Sequence, residues 1–322
     1  MLLSRLAENA FWLGRYLERA EDLARALRAY DNICLDLPGQ AAPGWHRLAA
    51  LAGVEPATTA SLEPRGDGHG FVQSFVDSVI LDRRNPSSLL GALHAARENL
   101  RRARSLLPSD CWHCLNPLYL QIARLGTTVG PVELGAVLQH VLAVTRELAG
   151  HVNAGMLRDE GYAFLRVGVL LERTDMTLRI AHVVAESLMP LDQSGAFEDV
   201  KWMGLLKAVG AYGTYRHRYH ARMDFARALE LLIFERRFPR SFAHGLQELG
   251  RHLGELPRST APLAALEACR PVGVVGSRAA LGKLVDDVLP HLARLSATLH
   301  RTYFAGEPAA VRAASPAQEI LV

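Results

Sequence analysis

Two stretches of this chain place acidic and basic residues at spacings that could form an ionic binding site. Residues 14–25 read Gly-Arg-Tyr-Leu-Glu-Arg-Ala-Glu-Asp-Leu-Ala-Arg, and residues 168–179 read Gly-Val-Leu-Leu-Glu-Arg-Thr-Asp-Met-Thr-Leu-Arg. Glu18-Arg19 in the first stretch corresponds to Glu172-Arg173 in the second. Two widely spaced copies are too few for a solenoid, and they indicate two related helical halves.

Side chains three or four residues apart share one face of a helix, so each stretch predicts a charged stripe. One interpretation is a solvated face, whose ion pairs each contribute about 0.2–0.5 kcal/mol. The other interpretation has the two stripes face a shared cleft. The arginines would then bind a carboxylate or phosphate, and the glutamates would hold the arginines in place.

The cleft interpretation assigns roles to particular residues. Glu18 and Glu172 are candidate general bases, and catalysis by them predicts one enclosed pocket with raised pKa values. The same stretches supply candidates for binding an anion or a partner, namely Arg15, Arg19, Glu21, Arg173, Asp175 and Arg179.

Two proline-containing segments offer further candidates. In Asn85-Pro86-Ser87-Ser88, the polar residues Asn85, Ser87 and Ser88 either cap a helix or bind an anion at the helix N-terminus. In Phe238-Pro239-Arg240-Ser241, the proline suits a first helical turn, and Arg240 is a candidate for the charged cleft.

A third group of candidates lies in the middle of a predicted helix. Arg97, Glu98 and Asn99 form either a basic wall of the same cleft or ordinary helical salt pairs. The spacing Cys111-Trp112-His113-Cys114 resembles half a zinc site. No second cysteine pair accompanies it, so we predict packed thiols and no bound metal.

Composition and missing motifs exclude several function classes. The 322 residues carry a formal net charge of +3, which is too small to indicate a nucleic-acid or membrane-surface partner. No phosphate loop, dinucleotide fingerprint, nucleophile elbow or HExxH sequence occurs. No apolar run could span a bilayer, and the N-terminus does not read as a signal peptide. With four cysteines, the expected location is the cytoplasm.

The elements that carry these residues are predicted to be helices throughout. Apolar residues at helical spacing predict helices at 3–30, 45–52, 88–107, 110–125, 131–150, 154–189, 198–215, 224–236, 239–255 and 277–304. Residues 53–70 are predicted to be a loop, and 272–275 is the one short strand candidate. We therefore predict an all-α fold, a large helical bundle over 1–305 with related halves at about 1–150 and 151–305. Residues 306–322 are predicted to form a flexible tail.

The order of these motifs resembles the Alpha-E domain family, a bacterial all-helical group named for its Glu-Arg motif. The resemblance begins with Trp12-Leu13-Gly14-Arg15-Tyr16-Leu17-Glu18-Arg19 and continues through Asn85-Pro86-Ser87-Ser88, Ala96-Arg97-Glu98-Asn99, Leu171-Glu172-Arg173 and Phe238-Pro239-Arg240-Ser241. The chain departs from the family at Val169, where the second motif usually has arginine, and at Thr174, where a small residue is usual.

The resemblance implies a context for the protein. Members of the family are typically encoded beside, or fused to, a circularly permuted ATP-grasp protein, often with a transglutaminase-like protein nearby. Such ligases join a carboxylate to an amine through an acyl phosphate, so ATP and Mg²⁺ are expected on the ligase and no cofactor on this chain. The expected function is that of a partner in peptide biosynthesis or modification. Two alternatives remain: a stand-alone enzyme acting on a carboxylate or phosphorylated intermediate, and a structural homo-oligomer.

Overall fold

The structure, a computed structural model, describes residues 4–36, 46–54, 75–125, 131–188, 198–220, 222–271 and 277–305. The α-helices are α1 Ser4–Asp36, α2 His46–Ala49, α3 Leu89–Arg102, α4 Asp110–Ala123, α5 Pro131–Gly155, α6 Glu160–Leu188, α7 Glu198–Ala208, α8 Tyr212–Tyr219, α9 Phe225–Leu229, α10 Phe242–Gly254, α11 Thr260–Glu267 and α12 Arg278–Leu299. Short 3-10 turns follow at Ala50–Ala52 and Arg104–Leu106, and π-helical turns at Val76–Leu81, Glu230–Phe234 and His300–Phe304.

The predicted all-α fold is confirmed, since the described ranges contain helices and no strand. The strand candidate at 272–275, the predicted tail at 306–322 and most of the predicted loop at 53–70 lie outside the described residues. None of the described helices combines the length and apolar character needed to cross a lipid bilayer.

Several helix boundaries differ from the sequence prediction for identifiable reasons. The predicted helix 198–215 is two helices, because Gly210 takes a left-handed φ of 70° and ends α7 there. The predicted start at 154 is wrong: α5 runs on to Gly155, and Asp159 then accepts a bond from the Tyr162 amide at 3.1 Å, as an N-cap does. Helix α11 was not predicted.

Helix α1 lies at the centre of the bundle and packs against α3, α5, α6 and α7. Its pairing with α6 is parallel, because the contacts advance along both helices in the same direction, from Phe11 beside Gly168 to Glu18 beside Arg173. The helices cross at two glycines. A methyl group on Gly14 would overlap the Leu165 carbonyl, and one on Gly168 would overlap the Phe11 carbonyl. The crossing therefore requires glycine, which has no Cβ atom, on both helices.

A second pair of similar segments, besides residues 14–25 and 168–179, lies in the two parts of the chain. Residues 80–88 read Ile-Leu-Asp-Arg-Arg-Asn-Pro-Ser-Ser, and residues 233–241 read Ile-Phe-Glu-Arg-Arg-Phe-Pro-Arg-Ser. Each segment follows or completes a π-helical turn and leads into a helix, α3 or α10, capped by the final serine. Ser88 donates to the Asp82 carbonyl, and Ser241 donates to the Glu235 carbonyl. Helix α3 packs on α1, and α10 packs on α6, so the two turn-to-helix segments repeat in local structure.

We predict that Gly168→Ala lowers the free energy of unfolding by about 1–3 kcal/mol, because the added methyl forces apart two packed helices. Urea unfolding followed by circular dichroism measures the change. Gly150→Ala is the matched control, since a methyl there meets nothing within 4 Å. It should raise stability by about 0.5–1 kcal/mol through helix propensity. Equal effects at both glycines would contradict the close crossing.

Candidate functional site

The two Glu-Arg pairs exchange partners across the α1–α6 crossing. Arg173 donates from Nε and Nη2 to the two carboxylate oxygens of Glu18, each at 2.7 Å. In the reciprocal contact, Arg19 donates to both oxygens of Glu172, at 2.6 and 3.0 Å. Parallel forked bonds of this kind are among the strongest ion-pair geometries. The charged stripes thus converge, as the cleft interpretation predicts, and the solvated interpretation is wrong for these residues.

Both glutamates are buried, with exposed fractions of 4% for Glu18 and 1% for Glu172. Burial opposes ionisation of Glu18, but the charges of Arg173 and Arg240 outweigh it and lower its pKa to about 2. Burial likewise opposes ionisation of Glu172, and the charges of Arg15 and Arg19 lower its pKa. The raised pKa values expected of general bases are therefore contradicted, because each carboxylate is fixed by two arginines.

Glu172 and its arginines form the wall of a cavity of about 420 Å³, called here the main cavity. Arg15 and Arg19 reach it from α1, and Ser87 reaches it from the turn before α3. The remaining polar side chains come from α6 and α12, namely Glu172, Asp175, Arg179 and Ser296. A cavity of this size is within the range that holds small-molecule ligands.

The arginines of the main cavity keep hydrogen-bond donors beyond those that Glu172 uses. Arg15 donates from Nε to Glu172, and its Nη1 lies 3.4 Å from the Ser296 hydroxyl. Arg19 uses Nε and Nη2 on Glu172, and its Nη1 lies 3.4 Å from the Ser87 hydroxyl. Each guanidinium has five N–H donors, so both can bind a further anion.

Most of the remaining lining of the main cavity is apolar. It is formed by Leu51, Leu171, Met176, Leu289 and Leu292, with Ala50 and Ala293 at exposed positions. Asp175 on the polar wall accepts two bonds from Arg179, at 2.7 and 3.2 Å. Both carboxylates of the cavity are therefore paired with arginines of the same cavity. The arrangement can bind an anion at the arginines and an apolar group at the leucines and Met176.

Glu18 does not share this cavity. It lines a second cavity of about 60 Å³, the minor cavity, together with Glu21, Val169 and Arg173. The minor cavity has room for about two waters at ~30 Å³ each. The sequence interpretation of one shared cleft is therefore wrong in this respect, because the exchanged pairs lie in separate cavities.

The minor cavity is the counterpart of the main cavity with two key residues changed. Val169 occupies the position of Arg15, as the alignment of the two stretches shows. Arg240 aligns with Ser87 when residues 233–241 are compared with residues 80–88. Its guanidinium binds Glu18 at 3.2 Å, Glu21 at 2.5 Å and Asp22 at 2.7 Å. The long cationic side chain of Arg240 is thus the equivalent of the small Ser87 hydroxyl group in the main cavity.

Asp22 is a buried member of this cluster that was not among the predicted site residues. Burial, followed by repulsion from Glu18, raises its pKa to about 7. The residue equivalent to Asp22 in the second stretch is Met176, which is one of the apolar residues that line the main cavity. The cluster around Arg240 is therefore a structural ionic network, and Arg240 joins the charged cluster without lining either cavity.

Of the predicted Asn85, Ser87 and Ser88, only Ser87 reaches the main cavity. Asn85 donates to the Ala52 carbonyl at 2.8 Å and accepts from the Ser87 amide at 2.9 Å. Ser88 is buried and accepts from the Gly91 amide at 3.0 Å, which is the bond of an N-cap. Asn85 and Ser88 therefore shape the turn that presents Ser87.

Arg97, Glu98 and Asn99 do not form a wall of either cavity, contrary to the cleft interpretation. Arg97 donates to Asn116 at 2.7 Å and to Glu98 at 2.9 Å. Its guanidinium also lies over the rings of Trp112 and Tyr119. Asn99 donates to the Ala95 carbonyl within its own helix. Arg97 therefore joins α3 to α4, whereas the partners of Glu98 and Asn99 lie on α3 itself.

The cysteine pair behaves as packed thiols. Burial raises the pKa of Cys111 to about 12 and that of Cys114 to about 11, so neither is a thiolate at neutral pH. In the described part of the chain, no three histidine, cysteine or acidic side chains are grouped as metal ligands.

Two features of the site were missed in the sequence. Ser296 and the apolar side chains of α12 line the main cavity, but helical spacing does not reveal which helix a given face will contact. The equivalence of Arg240 and Ser87 could have been found, because the similarity between residues 80–88 and 233–241 is visible in the sequence.

The sequence pattern of one family matches residues 2–304. That family, Alpha-E, is described as a predicted alpha-helical domain with a conserved ER motif. The chain belongs to the Alpha-E family. Its Glu-Arg dipeptides at 18–19 and 172–173 are the pairs exchanged at the helix crossing.

The curated relatives are mycobacterial. An uncharacterized protein of Mycobacterium bovis (strain ATCC BAA-935 / AF2122/97) is 26% identical over 277 residues, which cover 80% of this chain and 30% of the relative. An uncharacterized protein of Mycobacterium tuberculosis (strain ATCC 25618 / H37Rv) is 25% identical with the same coverage. This Alpha-E chain thus matches less than a third of the length of these relatives. No solved structure matches it significantly.

We predict that Asp22→Asn makes the stability of the protein less dependent on pH. The folded state holds a proton on Asp22 up to a pKa of about 7, whereas the ordinary value is 3.8. The stability from this raised pKa is fully present below pH 3.8 and is lost as pH rises through about 7.

The difference in unfolding free energy, variant minus wild type, should therefore grow between pH 5 and 7, by at most about 1.4 kcal/mol per pH unit. It should level off above that range. Urea titrations at several pH values give this difference directly. A difference that does not change with pH would show that Asp22 is ionised when folded.

Proposed function

We propose that this Alpha-E protein is the helical partner of an ATP-grasp ligase that forms amide or peptide bonds, and that it holds an anionic substrate in the main cavity. The observation that carries the proposal is the pair Arg15 and Arg19, whose guanidinium groups are fixed by Glu172 and still have donors for a ligand. Preorganised donors of this kind lose little freedom on binding.

The charge of the cavity supports an anionic ligand. Arg15, Arg19 and Arg179 contribute three positive charges, and Glu172 and Asp175 contribute two negative charges. The difference among these lining residues is one positive charge, 3 − 2 = +1. An acyl group that a ligase activates begins as a carboxylate, which carries the matching charge.

The role of a partner is supported by two further observations. The carboxylates Glu18 and Glu172 are held ionised by arginines, so the stand-alone alternative loses its candidate general bases. Asp22 has a pKa near neutrality but lines neither cavity. In addition, the mycobacterial relatives are much longer than the matched region, as expected of a domain that works beside others.

Under this proposal the ligase, a circularly permuted ATP-grasp protein, binds ATP and Mg²⁺, and a transglutaminase-like protein is a further expected partner. The cytoplasm is the expected location. Homo-oligomer formation stays a separate prediction, which light scattering of the purified chain tests.

The experiment combines this protein with the circularly permuted ATP-grasp protein of the same genome. We expect a complex at micromolar concentration on size exclusion, and amide formation, followed as ADP release, that depends on the Alpha-E protein. A ligase that is fully active alone and forms no complex would overturn the proposal.

Arg15→Gln should lower the rate of amide formation about 10- to 100-fold, because it removes a charge-assisted bond worth about 1.5–3 kcal/mol. Val169→Gln, at the equivalent position of the minor cavity, should leave the rate unchanged. Arg173→Gln should instead lower the unfolding free energy by about 3–5 kcal/mol, because it leaves Glu18 buried without its forked partner. Thermal denaturation of all three variants separates loss of folding from loss of binding.

A further inference from the structure

The main cavity has three properties that together restrict its ligand. Its charged lining residues carry a single excess positive charge, its carboxylates are already paired, and most of its remaining lining is apolar. The inference below rests on the proposed anion binding but goes further, because it names the chemical class of the ligand.

We infer that the main cavity binds one monocarboxylate with an apolar body and no free ammonium group, such as an N-acylated amino acid or the C-terminal end of a peptide. The carboxylate lies against Arg15 and Arg19, and the apolar body lies against the leucines and Met176 of the lining.

The charge of the wall selects a monoanion. A dianionic phosphate would leave one negative charge uncompensated beside Glu172 and Asp175, at a site partly withdrawn from solvent. A carboxylate matches both the single excess charge and the planar fork of a guanidinium. The hydroxyl groups of Ser87 and Ser296, each about 3.4 Å from an arginine nitrogen, can donate to the same carboxylate.

The pairing of the carboxylates excludes an ammonium group. Glu172 receives bonds from both Arg15 and Arg19, and Asp175 receives two bonds from Arg179. An amino group on the ligand would therefore meet guanidinium groups without an unpaired acid, and like charges at close range are unfavourable. A free amino acid is thus a poorer ligand than its N-acyl derivative.

The apolar wall selects the body of the ligand. Leu171 and Met176 come from α6, and Leu289 and Leu292 come from α12, so the wall is built on two long helices. Each methylene group buried on such a wall contributes about 0.8 kcal/mol, which is roughly a fourfold gain in affinity. The minor cavity offers neither the free arginine nor the space, so one ligand is bound per chain.

The test is isothermal titration calorimetry of the full chain with five probes: N-acetyl-L-leucine, N-acetylglycine, L-leucine, N-acetyl-L-leucinamide and inorganic phosphate. We expect N-acetyl-L-leucine to bind with a stoichiometry of one. N-acetylglycine and L-leucine should each bind at least about tenfold more weakly, and the amide should not bind.

Variants locate the site. Arg15→Gln should weaken binding of N-acetyl-L-leucine about 10- to 100-fold, whereas Val169→Gln should leave it unchanged. Ala293→Phe places a ring at the exposed edge of the apolar wall, so it should weaken N-acetyl-L-leucine and leave N-acetylglycine unchanged. This variant leaves the ionic crossing intact and keeps the test valid if Arg15→Gln fails to fold.

The outcomes separate this inference from the proposed function. Binding of phosphate in preference to the carboxylates, lost in Arg15→Gln, would keep the anion site and overturn the ligand class. Equal binding of L-leucine and N-acetyl-L-leucine would overturn the exclusion of ammonium. Absence of binding by every probe would overturn both anion binding and the ligand class. Carboxylate binding without any ligase complex would leave this inference standing and overturn only the partnership.

Discussion

The reciprocal exchange of Glu-Arg partners between α1 and α6 is the interaction on which the rest of the structure depends. It requires the two backbones to approach closely, and Gly14 and Gly168 permit that approach. Buried ion pairs of this kind add little net stability compared with apolar packing, but breaking one leaves a charge without a partner. The exchange therefore fixes the register of the two halves, and it fixes Arg15 and Arg19 at the edge of a cavity.

Each half contributes a Glu-Arg pair to the crossing, but the residues around the two pairs differ. On one side, Arg15 and Ser87 leave an open, cationic space. On the other, Val169 and Arg240 replace them, and Arg240 joins Glu21 and Asp22 in a closed network. One Glu-Arg contact thus borders an open cavity and the other belongs to a closed ionic network, although the contact itself is the same in both.

Much of the fold was predictable from the sequence, because long amphipathic helices leave a strong periodic pattern and prolines and serines mark their starts. The convergence of the charged stripes was predictable from the similarity between residues 14–25 and 168–179. The separation into two cavities was not, because it depends on which face of each helix the other meets. The raised pKa values predicted for Glu18 and Glu172 were wrong because burial alone does not decide ionisation once two arginines bind each carboxylate.

The distance along the chain between the exchanged partners bears on how the protein folds during synthesis. Glu18 meets Arg173 only after 155 further positions have been made, so the acids of α1 have no α6 partner while the first half emerges from the ribosome. Contacts of such long range form late, because closing a large loop costs entropy before any contact is gained. Both arginines that bind Glu18, Arg173 and Arg240, are made in the second half of the chain. The ionic crossing can therefore assemble only after α6 and the segment that carries Arg240 have both been synthesised.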